Sequence, residues 1–210
     1  MKIVSAELQG RLKHWIRTLK NDLYQPIGEI SWSACRTTEH LPYEQAKNLP
    51  FQSVEKGYTW GNTWEYCWFK GTVTLPECAE GKRIVLNLNP SGESTLFVND
   101  QAFGTYRADW VSEKHHFMED NILTRCAKAG EQFEILMEVY AGHYYPDAGG
   151  CATGPVLPGS YTDPLTEGAR RTMGSCTYGV WNEDAYQLFM DVDTLAKLLL
   201  TLDDRTLRAA

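Results

Sequence analysis

Trp64-Glu65-Tyr66-Cys67-Trp68-Phe69-Lys70-Gly71-Thr72-Val73-Thr74-Leu75 decides the fold class, because its side chains alternate in character with a period of two. Cys67, Phe69, Val73 and Leu75 fall on one side. Trp64, Tyr66, Trp68, Lys70, Thr72 and Thr74 fall on the other. Successive strand side chains point to opposite faces, so this is a strand with one packed face and one wet face, as antiparallel sheets have. The pattern returns twice. In Arg83–Asn89, Ile84, Leu86 and Leu88 oppose Arg83, Asn87 and Asn89. Farther on, Phe133, Ile135, Met137 and Val139 alternate with Gln132, Glu134 and Glu138. Leu96-Phe97-Val98 runs into Asn99-Asp100-Gln101-Ala102-Phe103-Gly104, a hairpin signal, since Asn and Asp enter the left-handed region at low cost. Several short strands between turn signals spell a two-sheet sandwich.

The flanks change period. Leu8, Leu12, Trp15, Ile16, Leu19 and Leu23 form a helical stripe, with Pro26 and Gly28 expected to close that helix. Ile30–Ala34 reads as a short strand, and a polar loop follows through Pro42 and Pro50. Residues 141–163 carry so many Gly and Pro that a long loop is expected, with His143-Tyr144-Tyr145 as its large rings. A second helix is expected from Asn182, a good cap, with Glu183 and Asp184 at its positive end. Leu195, Leu198, Leu199, Leu200 and Leu202 make it apolar around much of its circumference, which calls for a partner on more than one side. The expected organisation is an N-terminal amphipathic helix (1–28), a β-sandwich (29–180) and a C-terminal helix (181–210). The fold class is mainly β: an antiparallel sandwich flanked by α-helices.

Composition narrows the function classes. The 210 residues are 43 % hydrophobic and 22 % charged, ordinary for a globular protein. A net charge of −7 argues against a nucleic-acid partner, which needs clustered Lys and Arg. The densest basic spot, Arg170-Arg171, reads as part of a solvated loop. No stretch reaches the roughly 18 apolar residues of a membrane span, and the opening residues lack the apolar run of a signal peptide. The six cysteines are scattered, without C-x-x-C, and read as free thiols in a reducing cytoplasm.

Chemistry-bearing constellations are sparse. Glu134 and Glu138 lie about 13 Å apart by strand rise, too far for a glycosidase pair, and read as a solvated stripe. His115-His116 would point to opposite faces of a strand and not converge on one metal. No G-x-S-x-G elbow and no phosphate loop is present. No catalytic residue is assigned. The rings are the candidates: Trp60, Trp64, Tyr66 and Trp68 crowd nine residues, and Trp110, His143, Tyr144 and Tyr145 follow. Flat rings suit pyranose faces, and they suit a core layer or a domain interface equally well. These eight residues are carbohydrate-binding or domain-interface candidates.

Taken in order, the opening helix, Tyr58-Thr59-Trp60-Gly61-Asn62-Thr63-Trp64, Trp68-Phe69-Lys70-Gly71-Thr72-Val73-Thr74-Leu75-Pro76, Gly81-Lys82-Arg83-Ile84-Val85-Leu86-Asn87-Leu88, Leu96–Gly104, Glu134–Tyr140 and the Asp184-Ala185-Tyr186-Gln187-Leu188 helix form a recognisable succession. It resembles the N-terminal region of α-mannosidases of glycoside hydrolase family 38. The resemblance implies a jelly-roll sandwich, similar to galactose-binding domains, that precedes a catalytic domain. That catalytic domain opens with a His-x-Asp metal motif, and no histidine here has Asp two positions on. A divalent metal such as zinc is therefore expected in the catalytic domain and no cofactor in this segment. The expected role is a non-catalytic support or assembly segment of a cytoplasmic enzyme that hydrolyses terminal α-mannosyl linkages. Its expected partners are the catalytic domain of the same polypeptide, a second copy, and glycans. The alternative is a free-standing carbohydrate-binding module using the Trp64-Tyr66-Trp68 face.

Overall fold

The computed structural model of the chain describes residues 5–62, 65–107, 121–142 and 171–201. The chain divides into two compact units, Pro26–Gly179 and a unit made of Met1–Gln25 with Val180–Ala210. The sequence placed the breaks at 28/29 and 180/181.

The strand-rich unit is built on the pattern that opened the reading. Strand β5 (Tyr66–Thr74) pairs antiparallel with β10 (Gln132–Tyr140) in unbroken register, from Thr74↔Gln132 to Tyr66↔Tyr140. Around this centre lie β2 (Trp32–Thr37), β3 (Gln52–Val54), β7 (Glu93–Val98) and β8 (Gln101–Arg107), giving a six-stranded sheet in the order β3-β2-β5-β10-β7-β8. A four-stranded sheet has the order β1-β12-β6-β9, from β1 (Tyr24–Glu29), β6 (Ile84–Asn87), β9 (Ile122–Thr124) and β12 (Thr177–Trp181). A two-stranded ribbon joins β4 (Thr59–Trp60) to β11 (Arg171–Thr172). The expected hairpin is present: Asn99 and Asp100 turn between β7 and β8 at φ 49° and 62°.

The inner layer follows from alternation. Cys67, Phe69 and Val73 of β5, Ile135, Met137 and Val139 of β10, and Leu96 of β7 are buried together with Ile84 and Leu86 of β6. The sheets are also tied by hydrogen bonds. The Tyr178 hydroxyl donates to the Thr74 carbonyl at 3.1 Å, and the Tyr106 hydroxyl to Asn87 Oδ1 at 3.1 Å.

One face departs from the wet surface expected of it. A single helical turn, α2 (Tyr43–Ala46), and its flanks lie over the middle of the outer face of the six-stranded sheet. Ala46, Trp68 and Leu136 are buried there, packed by Leu41, Tyr43, Leu49, Phe51 and Phe97. A second departure is at the start. Gln25-Pro26-Ile27-Gly28 forms strand β1, where the sequence suggested a helix-closing loop. β1 is an edge strand, where a proline without an N–H is tolerated.

The helical unit holds α1 (Ala6–Asp22) and α3 (Glu183–Thr201). Ser5 caps α1, its Oγ accepting from the Leu8 N–H at 3.1 Å, and Asn182 caps α3, accepting from the Ala185 N–H at 3.1 Å. Lys20 Nζ sits 5.3 Å from the centre of the Phe189 ring. Several large apolar residues stay open: Leu8, Trp15, Leu188, Leu195 and Leu198, with Leu195 at 64 % exposure. No helix among the described residues is long and apolar enough to cross a membrane.

Candidate functional site

The ring candidates part company in the structure. Trp60 and Trp68 are each 1 % exposed, so neither offers a face to a ligand. Trp60 meets Phe69 edge-on at 5.8 Å in the inner layer. Trp68 lies on the other side of the sheet, nearly parallel to Phe97 at 6.3 Å, under the α2 cover. Tyr66 is half-buried and stacks on Tyr140 at 4.8 Å and on His40 at 5.3 Å. Trp64, Trp110, His143, Tyr144 and Tyr145 lie outside the described residues, as do His115 and His116.

Beside the Tyr66–Tyr140 stack the outer face opens into a groove of about 350 Å³, lined by Glu93, Ser94, Thr95, Thr105, Tyr106, Glu138 and Tyr140. Strand register explains why five of these residues meet. Thr105, Thr95, Glu138 and Trp68 are successive cross-strand partners along one row, and Glu93, Tyr140 and Tyr66 along the next. Alternation puts both rows on the outer face.

Glu138 is the unusual member. The sequence placed it in a solvated stripe with Glu134, but only Glu134 is exposed. The Glu138 side chain is 13 % exposed, with His40 Nε2 3.4 Å from its Oε1. The contact is close enough for an ion pair. That oxygen is buried with no hydrogen-bond partner among the described residues. Burial pushes the Glu138 carboxyl above the usual carboxylate range, and proximity to His40 opposes the shift. Burial, then Tyr66 and Glu93, push the Tyr140 phenol up to about 12, so it stays a neutral donor. Glu138 sat on the correct face by alternation. His40, in a loop, carried no signal at all.

A saturated carboxylate immediately precedes β5. Glu65, 6 % exposed, accepts from Arg36 Nε at 2.6 Å and Nη2 at 3.0 Å. It also accepts from the N–H groups of Gly61 at 3.0 Å and Asn62 at 2.7 Å. Gly61 has φ +89°, a conformation that favours glycine, and a Cβ there would meet Arg171 Cγ at 2.5 Å. Arg171 itself donates to the Ala141 carbonyl at 2.9 and 3.2 Å, correcting its reading as part of a solvated loop. With four donors on it, Glu65 is a structural post.

No three His, Cys, Asp or Glu side chains converge as a metal site requires, among the described residues. Cys35, Cys67, Cys78, Cys126 and Cys176 are free thiols. Burial raises the pKa of Cys67 and moves that of Cys176 to about 11, which makes both unreactive.

Comparison with known proteins adds the lineage. The family model described as the jelly-roll domain of alpha-mannosidase matches residues 25–155. Alpha-mannosidase 2C1 of Mus musculus is 29 % identical over 103 residues, covering 41 % of this chain and 10 % of the relative. Alpha-mannosidase G of Dictyostelium discoideum is 28 % identical over 104 residues, covering 48 % of this chain and 9 % of the relative. The match thus spans about a tenth of the curated relatives' length. Among solved structures, a β-glucuronidase from Ruminococcus gnavus in complex with uronic deoxynojirimycin has a TM-score of 0.49 at 13 % identity, covering 77 % of this chain and 29 % of that one. With a family match that runs from within β1 to beyond β10 and takes in more than half of the residues, the chain belongs to the α-mannosidase jelly-roll domain family.

Proposed function

We propose that this chain serves as the non-catalytic N-terminal sandwich of a cytoplasmic α-mannosidase that hydrolyses terminal α-mannosyl linkages, supporting and assembling its catalytic region. The observation that carries the reading is the family match over residues 25–155. The chemistry of the strand-rich unit agrees with it. Glycoside hydrolysis needs two carboxyl groups across one cleft, one of them kept protonated. Glu65 is saturated by four donors and so is not free to serve as one of such a pair.

An assembly role has its own support. Trp15, Leu195 and Leu198 are each more than half exposed, and exposed apolar side chains of that size are commonly covered by a partner. The partner in this reading is the catalytic region of the same polypeptide, or a second copy. A divalent metal would belong to that region.

Two measurements test the proposal. The coding sequence beyond Ala210 is expected to encode a His-x-Asp motif and a catalytic region. The purified 210-residue chain is expected to leave nitrophenyl α-mannoside uncleaved. Turnover by the chain alone, abolished by changing one of its own carboxylates, defeats the proposal.

A further inference from the structure

We infer that the helical unit joins two copies of this chain: α1 of one copy lies antiparallel along α3 of the other, with Leu8 and Trp15 on the partner's Leu195 and Leu188, and Arg11 beside the partner's Asp191. The inference rests on the assembly role proposed above and commits that role to a second copy.

Two observations converge on that occupant. The first is an open seam. Leu8 and Trp15 on α1 are exposed, as are Leu188 and Leu195 on α3, and each pair is seven residues, about two turns, apart. Both rows fall on one side of the helix pair. The Asn182 N–H donates to the Leu23 carbonyl at 2.9 Å, and Lys20 lies over Phe189. The end of α1 thus meets the beginning of α3, and the two run antiparallel. At about 100° per residue, each open row is turned the same way from a more buried one, Leu12, Ile16 and Leu19 in α1 and Val192 and Ala196 in α3. In antiparallel helices that shared turn brings both open rows to the same side.

The second observation is charge. Arg11 stands three residues after Leu8 and four before Trp15, and Asp191 stands three after Leu188 and four before Leu195; both are exposed. One positive and one negative charge therefore hold the same place beside the two rows. Laying α1 antiparallel on the partner's α3 brings Arg11 level with the partner's Asp191 and on the same flank, and a two-fold axis makes the contact twice. The helices agree as wholes. Arg11, Lys13, Arg17 and Lys20 outnumber Glu7 and Asp22 on α1, and Glu183, Asp184, Asp191 and Asp193 outnumber Lys197 on α3. A face with both signs at matched places is its own complement. Two helices from each copy then close the open rows into the core of a four-helix bundle.

Other occupants fit less well. An anionic lipid surface would suit α1, but Asp184 and Asp191 would repel it beside the leucines of α3. A strongly basic segment would suit α3 and meet Arg11 on α1.

The test is sedimentation equilibrium of the 210-residue chain and of three variants over a range of concentrations. Wild type is expected at twice its own 23.8 kDa. Leu195→Glu, at a position already exposed in the single chain, is expected to sediment as a monomer. Arg11→Asp and Asp191→Arg, each by itself, are expected to dimerise about tenfold more weakly, since two exposed ion pairs turn repulsive at once. Mixed one to one, these two variants are expected to regain the wild-type affinity as a heterodimer, because every α1–α3 contact between copies then joins opposite charges. Mixing alters neither chain, so that rescue separates a lost contact from a lost fold. A wild-type chain that stays monomeric overturns the inference and leaves the face to another region of the polypeptide. Masses that climb past the dimer with concentration, or a mixture no tighter than its components, also overturn it. None of these outcomes touches the mannosidase reading, which rests on the family match and is tested by the sequence beyond Ala210.

Discussion

The two faces of the β5–β10 pair share one backbone and one register, yet they have different fates. On the inner face Cys67, Phe69, Val73, Ile135, Met137 and Val139 are all at most 1 % exposed. That face is uniform from end to end. The outer face is divided in three. Lys70, Thr72 and Thr74 are exposed, Trp68 and Leu136 are buried under α2, and Tyr66, Glu138 and Tyr140 are half-buried beside the groove. Strand geometry assigns the side on which a residue falls. What lies over that side is supplied from elsewhere in the chain, here by residues 41–51. The lesson is that a face can be read locally, whereas its cover cannot.

The widest expected gap between the faces comes from truncating one residue on each. Phe69→Ala removes a fully buried ring that meets Trp32, Trp60 and Tyr58 edge-on. Urea unfolding is expected to show a loss of about 3–5 kcal/mol, the range for a large core aromatic. Glu65→Ala comes next, at about 2–3 kcal/mol. It strips the acceptor from two backbone N–H groups and from Arg36, and water reaching the 40 % exposed Arg36 side chain tempers the cost. Leu136→Ala on the outer face is expected to cost about 2 kcal/mol, because a cluster capped by one helical turn can settle into the space. A Leu136→Ala cost equal to that of Phe69→Ala makes the two faces equivalent and breaks the comparison.

The same contrast explains what the amino-acid order made legible. Alternation in Trp64–Leu75 and Phe133–Val139 placed each inner residue correctly, since burial there depends only on the partner sheet. Asn99-Asp100 announced its own turn. Asn182 announced its cap. Trp68 was on the side assigned to it, but its burial depends on Ala46 and Phe51, from a stretch around Pro42 and Pro50 that shows no period. His40 is similar: it reaches Tyr66 and Glu138 across a distance that no local pattern encodes. Arg171 was read from its neighbour Arg170 and its charge, while its partner is the carbonyl of Ala141, thirty positions earlier.

The smallest effect is the one that most sharpens the comparison, because it has the opposite sign. Glu138 carries a burial-raised pKa, so the fold favours its protonated form. The sign follows from linkage. A carboxyl whose folded pKa lies above its unfolded value contributes most at acid pH, and that contribution is lost as pH rises through the folded pKa. At neutral pH the ionised group is thus a cost that the outer face tolerates. Glu138→Gln removes that cost, so the variant is expected to melt slightly higher than wild type at pH 7. The two melting curves should converge as pH falls below the usual carboxylate range. His40 faces the same oxygen and works against the shift, so a His40→Ala background should enlarge the gain at pH 7. A Glu138→Gln variant less stable than wild type at pH 7 would mean that the carboxylate is well paired where it stands. The half-buried end of the outer face would then be as well satisfied as the inner layer.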